Sequence, residues 1–253
     1  MKKIIHGIGR AVLKDFTNPK KIIDYTDLQD LSFESSYSKE DITGGNKVVP
    51  IASFKKDTAV KVSATNATFH PEIIEYMDGA SQATAAAQLP ELKEVMIPAP
   101  VGEATDCVIT LKNTPVAKSV IINGYEEADT LAAGKFQVDV TTKSVSFMAE
   151  DAGKQVVIYY EYMSSEDTVN YSVSQDSMSK PFEFDYIFDI YDENTQVTHN
   201  CVIKVYKMQT TSGFKIDPKH QSPVAPVFEA EAKDPMRTDG HMWDFFMDSV
   251  KQA

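Results

Sequence analysis

Alternation of apolar and polar residues with a period of two recurs along the chain and predicts β-strands. The clearest case is Pro181–Tyr191, where one face would be apolar and the other would carry three carboxylates. The apolar face consists of Phe182, Phe184, Tyr186, Phe188 and Ile190. Burying apolar surface contributes about 25 cal/mol per Å², so this strand is predicted to be a main stabiliser of the fold.

The stretch Ile42–Ala80 predicts a loop, a strand and a short helix in that order. The helix would begin at an N-cap, Thr68, and end at Gly79, which can adopt the left-handed conformation of a C′ residue. The strand would bury alternate residues, namely Val60, Val62 and Ala64. The helix would bury Ile73, Ile74 and Met77.

The first 50 residues predict a hairpin followed by a less regular segment. Two apolar runs, residues 8–14 and 20–24, flank the turn signal Thr17-Asn18-Pro19. From Ser35 to Val48 the chain is polar, contains glycine and lacks periodicity. This second segment fits either a long loop or an extended hairpin.

Residues 105–163 predict a small β-unit of five short strands, either a sandwich or a meander. We interpret this unit as an insertion into a main β domain formed by residues 1–104 and 164–253. The alternative is a single continuous sheet without a separate module. The strands are indicated by alternation around Cys107–Leu111, Val120–Ile122, Phe136–Val140, Val145–Phe147 and Val156–Tyr162.

The C-terminal residues Met242, Phe245, Phe246 and Val250 follow helical spacing, with Trp243 beside them. A helix this short is not stable alone, so it must dock on its own domain or on a neighbouring molecule.

The 253-residue chain has a net charge of −12, distributed unevenly. Residues 1–61 have 11 Lys and Arg against 8 Asp and Glu, whereas residues 62–253 have 14 against 29. Such an acidic protein does not bind nucleic acid by neutralising phosphates. The excess of acid would either maintain solubility or repel a polyanion from the wall of a conduit.

Glu183, Asp185 and Asp189 follow one another on the polar face of the Pro181–Tyr191 strand. Adjacent positions on one strand face lie about 6.6 Å apart. Four interpretations remain open: a metal site, a pair of catalytic acids, the wall of a channel, or a solvated strand face.

The sequence contains none of the common phosphate-binding, nucleophile-elbow or zinc-protease motifs, and its five histidines lack ligand spacing. We therefore predict that the protein is not an enzyme and needs no cofactor or metal. Cys107 and Cys201, the only cysteines, are expected to be free thiols on strands. No apolar run is long enough to span a membrane, and we identify no signal peptide.

The order TGG, proline, a strand carrying VKVSATNATF, and a helix closed by glycine resembles the major tail tube proteins of long-tailed bacteriophages. The same fold resembles the tubes of type VI secretion systems and tailocins. The resemblance implies a mainly β fold: a β-sandwich or barrel with a short flanking α-helix, plus an inserted Ig-like β-module.

The resemblance also implies that subunits form hexameric rings that stack into a hollow tube conducting phage DNA without specific binding. Partners would be a tape-measure protein and tail terminator or baseplate proteins, in a virion tail assembled in the host cytoplasm. By resemblance, an inter-subunit loop would span about Tyr37–Pro50. The candidate contact residues in it are Tyr37, Gly44, Gly45, Lys47 and Pro50. The carboxylates at positions 183, 185 and 189 are the candidates for the channel lining.

Three other functions fit the sequence. The protein could be another virion component, such as a capsid decoration or baseplate protein. It could be a carbohydrate-binding β-sandwich in which Tyr159 or Tyr191 forms a platform. It could also be an acid-dependent hydrolase.

Overall fold

The computed structural model describes residues 2–44, 49–101, 105–217 and 226–248. These residues form a mainly β protein, as predicted, with one short α-helix and one 3-10 turn. The helix α1 spans Ile73–Met77 and the 3-10 turn spans Ala149–Asp151. The strands are β1 (Lys3–Asp15), β2 (Ile22–Tyr25), β3 (Leu28–Ile42), β4 (Ala52–Asn66), β5 (Ser81–Thr84), β6 (Gln88–Met96), β7 (Asp106–Thr110), β8 (Ile121–Ile122), β9 (Glu126–Glu127), β10 (Lys135–Asp139), β11 (Ser144–Met148), β12 (Gln155–Met163), β13 (Val169–Ser172), β14 (Phe182–Asp192), β15 (Val197–Thr210), β16 (Val227–Ala232) and β17 (Trp243–Met247).

The chain folds into two compact units. The first combines Met1–Gln82 with Tyr171–Ala253, and the second is Ala83–Asn170. The predicted insertion, 105–163, falls inside the second unit, which also contains β6 because that strand pairs with β12 along its whole length. The boundaries between the units fall within β5 and β13, which pair as a two-stranded sheet.

The first unit is built on an eight-stranded sheet in the order β2-β1-β14-β15-β16-β4-β3, with β17 attached to β15. Every neighbouring pair in this sheet is antiparallel. Within the described ranges the path ends at β2 and at β3, so the sheet does not close into a barrel.

The core of the first unit follows the period-two pattern. Phe182 and Phe184 of β14 are completely buried, and so is Val60 of β4. Phe182 packs against the rings of Tyr76 and Phe228, with ring centroids 5.9 and 5.4 Å apart. The aromatic face predicted for β14 therefore forms the centre of the fold, where it meets α1 and β16.

The short helix lies where the sequence predicts it, but its predicted N-cap is wrong. Helix α1 begins after Glu72, which makes no capping hydrogen bond through its side chain. Thr68 instead accepts a hydrogen bond from the Asn66 side chain (2.8 Å) and donates to Asp27 (3.2 Å). Gly79 adopts φ +67° beyond the helix, as predicted, and a Cβ there would lie 2.1 Å from the Met178 carbonyl oxygen.

Glu75 connects α1 to the rest of the first unit. Glu75 is only 5% exposed, and its carboxylate accepts hydrogen bonds from Lys21 at 2.5 Å and from Lys180 at 3.2 Å. Lys180 also donates to the Ala80 carbonyl oxygen. A buried charge needs such partners, because a carboxylate removed from water without them is strongly unfavourable.

The predicted N-terminal hairpin is confirmed as β1 and β2. Asp15 closes its turn, since one carboxylate oxygen accepts from the backbone of Thr17 and Asn18 and from the Thr17 hydroxyl. Burial acts to raise the pKa of Asp15, but these hydrogen bonds favour the carboxylate and lower the pKa below its ordinary value.

A bulge interrupts the pairing of β1 with β14 between His6 and Arg10. Two glycines in this bulge have positive φ, Gly7 (+76°) and Gly9 (+74°). A Cβ on Gly9 would lie 2.3 Å from the Ile187 carbonyl oxygen, whereas a Cβ on Gly7 would meet nothing within 4 Å. Gly9 therefore has a spatial as well as a conformational reason to be glycine, whereas Gly7 has only the conformational one.

For Ser35–Val48 the sequence left a long loop and an extended hairpin open, and the described residues of this segment form an extended hairpin. β3 and β4 pair from Leu28 opposite Asn66 to Ile42 opposite Ala52, with irregularities between Leu28 and Asp30 and between Tyr37 and Lys39.

The second unit contains the five predicted strands in two further sheets, with orders β7-β11-β10-β9 and β6-β12-β8. Both sheets contribute to one buried cluster that includes Phe147 and Ile158, each 0% exposed. Glu91 accepts from the hydroxyl of buried Tyr160 at 2.7 Å, and this hydrogen bond is the main cause of its lowered pKa. The unit is thus a small sandwich with its own core.

The predicted C-terminal helix is wrong, because residues Trp243–Met247 form the strand β17. Val250, the last residue of that prediction, lies outside the described residues. β17 pairs antiparallel with β15, from Trp243 opposite Val205 to Met247 opposite Cys201. β16 pairs with β15 only around Met208–Thr210, so β17 satisfies a part of β15 that β16 leaves unpaired. Backbone pairing along β15 overrides the helical spacing of the apolar residues.

The geometry of the bulge predicts that alanine substitutions at Gly7 and Gly9 lower the free energy of unfolding by different amounts. Gly7→Ala is expected to lower the free energy of unfolding by about 1–2 kcal/mol, which is the cost of a left-handed conformation with a side chain. Gly9→Ala is expected to cost about 2 kcal/mol more, since its Cβ would displace β14. Denaturant unfolding followed by the fluorescence of Trp243, the single tryptophan, measures the difference; equal losses would contradict the close approach at Gly9.

The buried carboxylate of α1 gives a second prediction. Glu75→Gln is expected to lower the free energy of unfolding of the first unit by about 1–2 kcal/mol, which is less than for a fully buried ion pair because both lysines are partly exposed. The control is Glu72→Gln, which removes a charge from the same helix end without breaking an ion pair among the described residues and should cost less than about 0.5 kcal/mol. A loss at position 75 as small as that at position 72 would contradict the proposed connection.

Candidate assembly surfaces

The distal half of the β3–β4 hairpin, residues 35–57, is here called the arm. Its described strand residues are exposed on both faces up to Asp57, so the arm extends beyond the core of its unit. Large apolar side chains are among the exposed ones, with Tyr37 and Phe54 each 57% exposed. Apolar residues exposed in this way, on a two-stranded ribbon, are typical of a surface that another chain covers.

The arm is organised by pairs between its own strands. Lys39 and Lys55 lie directly opposite one another, and their ammonium groups are 5.7 and 5.3 Å from the centre of the Tyr37 ring. The Ser38 hydroxyl donates to Asp57 at 2.9 Å, and the Ser53 hydroxyl donates to Asp41 at 2.5 Å. These contacts hold the two strands together without a core beneath them.

The structure places three of the five predicted inter-subunit loop residues in or next to this hairpin. Tyr37 lies on β3, Gly44 follows its end, and Pro50 precedes β4. Gly45 and Lys47 lie outside the described residues.

Two strand edges of the eight-stranded sheet are exposed. β2 pairs only with Ala11–Lys14 of β1, so no strand forms a ladder with Lys3–Arg10 on that side among the described residues. This part of β1 is called the free half of β1. At the other end of the sheet, β3 pairs with β4 alone within the described ranges. Both edges present backbone groups that another strand can pair with.

The three in-line carboxylates of β14 have different environments. Glu183 is half-buried and pairs with Lys204 at 3.5 Å. Asp185 is buried, with 8% exposure, and one of its oxygens forms an ion pair with Lys14. Its other oxygen, Oδ1, is buried and has no partner among the described residues. Asp189 is exposed.

The lysines that pair with these carboxylates come from the neighbouring strands. Lys14 of β1 lies opposite Glu183, and Lys204 of β15 lies opposite Asp185. Lys14 therefore reaches diagonally to Asp185, and Lys204 reaches diagonally to Glu183. Sequence reasoning missed these pairs, because finding them requires the strand order and the register.

Asp189 lies at a depression of about 400 Å³ on the polar face of the sheet. His6, Arg10 and Asn200 also line this depression. Asn200 Oδ1 is buried and has no hydrogen-bond partner among the described residues, so it can accept a donor. Across the same ranges, no group of three or more His, Cys, Asp or Glu side chains is arranged to hold a metal ion.

The C-terminal docking candidates divide into two groups. Met242 and Trp243 pack against the core of their own unit, and the Trp243 ring lies 5.2 Å from that of Phe33. Phe245 and Phe246 are about half exposed. The first pair therefore docks on its own unit, whereas the second pair leaves apolar surface on β17.

The two cysteines are free and buried on β7 and β15, as predicted. Burial is the main cause of the raised pKa of both thiols, which keeps them in the neutral, unreactive form. Within the described ranges, no helix has both the length and the apolar character of a membrane span.

The chain matches the model of a known protein family. The model of the YomU/Tube protein family matches residues 3–242, which include nearly all the described residues of both units. No curated protein is a significant match to the chain. Because the family match covers almost the whole sequence, the chain belongs to the YomU/Tube protein family, whose name, together with the β-rich fold, suggests a phage tube-like structural protein.

Proposed function

We propose that the protein is the major tail tube subunit of a phage, and that it polymerises as stacked hexameric rings into a hollow tube conducting phage DNA. The observation that carries this proposal is an open eight-stranded sheet with two exposed edges and an arm that extends beyond its own core. Membership of the YomU/Tube family supports it.

Exposed sheet edges favour assembly, because their backbone groups template pairing with further strands. The two ends of this sheet differ, so a contact between copies would join one end to the other. Such a head-to-tail contact closes into a ring when its rotation allows, and a second contact along the axis stacks the rings. A hexameric ring is the closure implied by the resemblance to tail tube proteins.

The arm is the natural element for reaching a neighbouring subunit. An isolated two-stranded hairpin is marginally stable at best in water, because it lacks a hydrophobic face packed on other structure. The exposed side chains of Tyr37, Ile42 and Phe54 would gain such packing against another copy. Burying them would contribute about 25 cal/mol per Å² to the contact.

The polar face of β14 is the proposed wall of the channel. Glu183 and Asp185 are paired with lysines, so their charges would repel DNA less than isolated carboxylates would. Asp189 is exposed and forms no ion pair among the described residues, which makes it the strongest candidate for repelling the phosphate backbone. The overall charge of −12 would prevent strong binding to DNA during its passage.

In this proposal the protein is structural, without catalysis or a cofactor. It would act in the virion tail after assembly in the host cytoplasm, beside a tape-measure protein and the tail terminator or baseplate proteins. These partners follow from the resemblance to tail tube proteins.

Removing the arm tests its role in assembly. Replacing residues 38–57 by an Asn-Gly turn connects Tyr37 to Thr58, which lie opposite one another in the ladder. The shortened protein is expected to remain a folded monomer, because the core of the first unit lies outside the arm. Analytical ultracentrifugation should then find no assemblies at concentrations where the wild type forms tubes.

The control for this deletion is Tyr37→Ser in the full-length protein, which retains the arm but removes its largest exposed ring. It should assemble more weakly than the wild type and better than the shortened protein. Tubes formed by the shortened protein as readily as by the wild type would show that the arm is not the joint.

Charge reversal at the proposed channel wall gives another prediction. Wild-type tubes are expected not to retain short duplex DNA, whereas Asp189→Lys tubes should retain it and release it as salt rises. Filter retention of labelled DNA at several salt concentrations measures this. Glu127→Lys is the matched control, since it makes the same charge change at an exposed site of the second unit. Equal retention by both variants would contradict the placement of Asp189 in the channel.

A further inference from the structure

The two free edges of the eight-stranded sheet carry opposite charge. The segment formed by residues 2–10, which contains the free half of β1, has three basic residues, Lys2, Lys3 and Arg10, and no acidic one. β3 has four acidic residues, Asp30, Glu34, Glu40 and Asp41, against the single Lys39. The charges are thus +3 at one edge and −3 at the other, in a chain whose remaining surface is mostly acidic.

The directions of the strands are compatible with pairing between these edges. Strand direction alternates at each step from β1 through β14, β15, β16 and β4 to β3, so β1 and β3 run in opposite directions. A rotation that relates two copies around an axis parallel to the strands preserves these directions. The β3 edge of one copy would therefore meet the free half of β1 of the next copy as an antiparallel pair, the geometry of the other pairs in this sheet.

The charged side chains also fall on matching faces. Arg10 precedes buried Ala11, and Glu34 follows Phe33, which packs against the same core. Because successive strand residues point to opposite faces, both Arg10 and Glu34 lie on the polar face of the sheet. Both are exposed, and neither forms an ion pair within the described part of the chain.

The spacing of the charges matches along the strands. Antiparallel pairing with Arg10 beside Glu34 directs the Lys2 end of β1 toward Glu40. On β14, the partner of Arg10 is Ile187, and the backbone N–H of Glu193 donates to the Lys2 carbonyl oxygen. The bulge in β1 takes up additional residues, so Arg10 and Lys2 are as far apart along the sheet as Ile187 and Glu193. Glu34 and Glu40 are separated by the same number of residues as Ile187 and Glu193.

The ion pairs already present at these edges are weak. Lys2 lies 3.9 Å from Glu193, with side chains 83% and 53% exposed. Glu40 lies 3.7 Å from Lys56, and both side chains are more than half exposed. Exposed pairs of this kind contribute little and are screened by salt, so they would not prevent these groups from pairing with another copy.

We infer that the free half of β1 is the docking site for the β3 edge of a second copy of this chain, with Arg10 facing Glu34 and Lys2 facing Glu40. In this register Lys3 lies opposite Lys39 and diagonal to Asp41. This inference rests on the proposed self-assembly and identifies the edges that form its lateral joint. Backbone hydrogen bonds would supply the pairing, and the opposite charges would set its register and exclude contacts between like edges.

Charge reversal at the two exposed positions tests the joint. Arg10→Glu and Glu34→Arg, made separately, are each expected to raise the lowest concentration at which assemblies form by about tenfold or more, since like charges would face one another. The double variant, with both changes in one chain, should recover most of the loss. An equimolar mixture of the two single variants should also assemble, because each mutated edge then finds a complementary one.

The control is Lys112→Glu, an equal change of charge at an exposed position of the second unit, and it should assemble like the wild type. Far-ultraviolet circular dichroism and Trp243 fluorescence confirm that each variant is folded. The inference is overturned if Arg10→Glu assembles like the control, or if the double variant is no better than the single ones. In either case, tubes formed by the wild-type protein would still support the proposed function, and only the proposed joint would be wrong.

A second measurement uses the wild-type protein alone. Zero-length carbodiimide cross-linking of a mixture of unlabelled and 15N-labelled protein should join Lys2 or Lys3 of one copy to Glu40 or Asp41 of another. Mixed-isotope peptides of this composition support the joint. Assemblies that yield only same-chain Lys2–Glu193 products overturn it, and a wild type that stays monomeric overturns both the proposed function and this inference.

Discussion

An open sheet leaves backbone hydrogen-bonding groups unpaired at its two edges, and the proposed assembly of this protein follows from that. Seven strands of the first unit follow one another in a single path that ends at β2 and β3 within the described residues. The N–H and C=O groups of an edge strand can hydrogen-bond to water, but they can also pair with a strand of another chain. Proteins therefore cover such edges, place charges on them or pair them. Here the edges carry charges of opposite sign, which disfavours the pairing of like edges and favours the joining of unlike ones.

The interior of the first unit provides the rigid base for these edges. Phe182, Phe184 and Val60 are fully buried, and α1 is fixed over them by the ion pairs of Glu75. Beyond this core the arm and the free half of β1 are exposed on both faces. The first unit thus combines a packed centre with extensions whose described strand residues are exposed, and the proposed assembly would bury them against another copy.

Most of the strands could be predicted from the sequence, because period-two burial is a local property. The buried faces of β4 and β14 and the N-terminal hairpin were found in this way. The helix predicted from Met242, Phe245, Phe246 and Val250 is wrong, since Trp243–Met247 pair with a part of β15 that β16 leaves open. Buried Asp185 pairs with Lys14, which is 171 residues away along the chain. Predicting this pair would require the register of β1 against β14, which the sequence does not show.

The proposed function requires copies of this chain to assemble through their sheet edges into a hollow tube. Electron cryomicroscopy of the purified wild-type protein over a range of concentrations shows whether they do. We expect hollow rings or tubes in which strands of neighbouring copies form one continuous sheet around the channel. Monomers that persist at high concentration, or assemblies in which β3 and the free half of β1 remain unpaired, would contradict it.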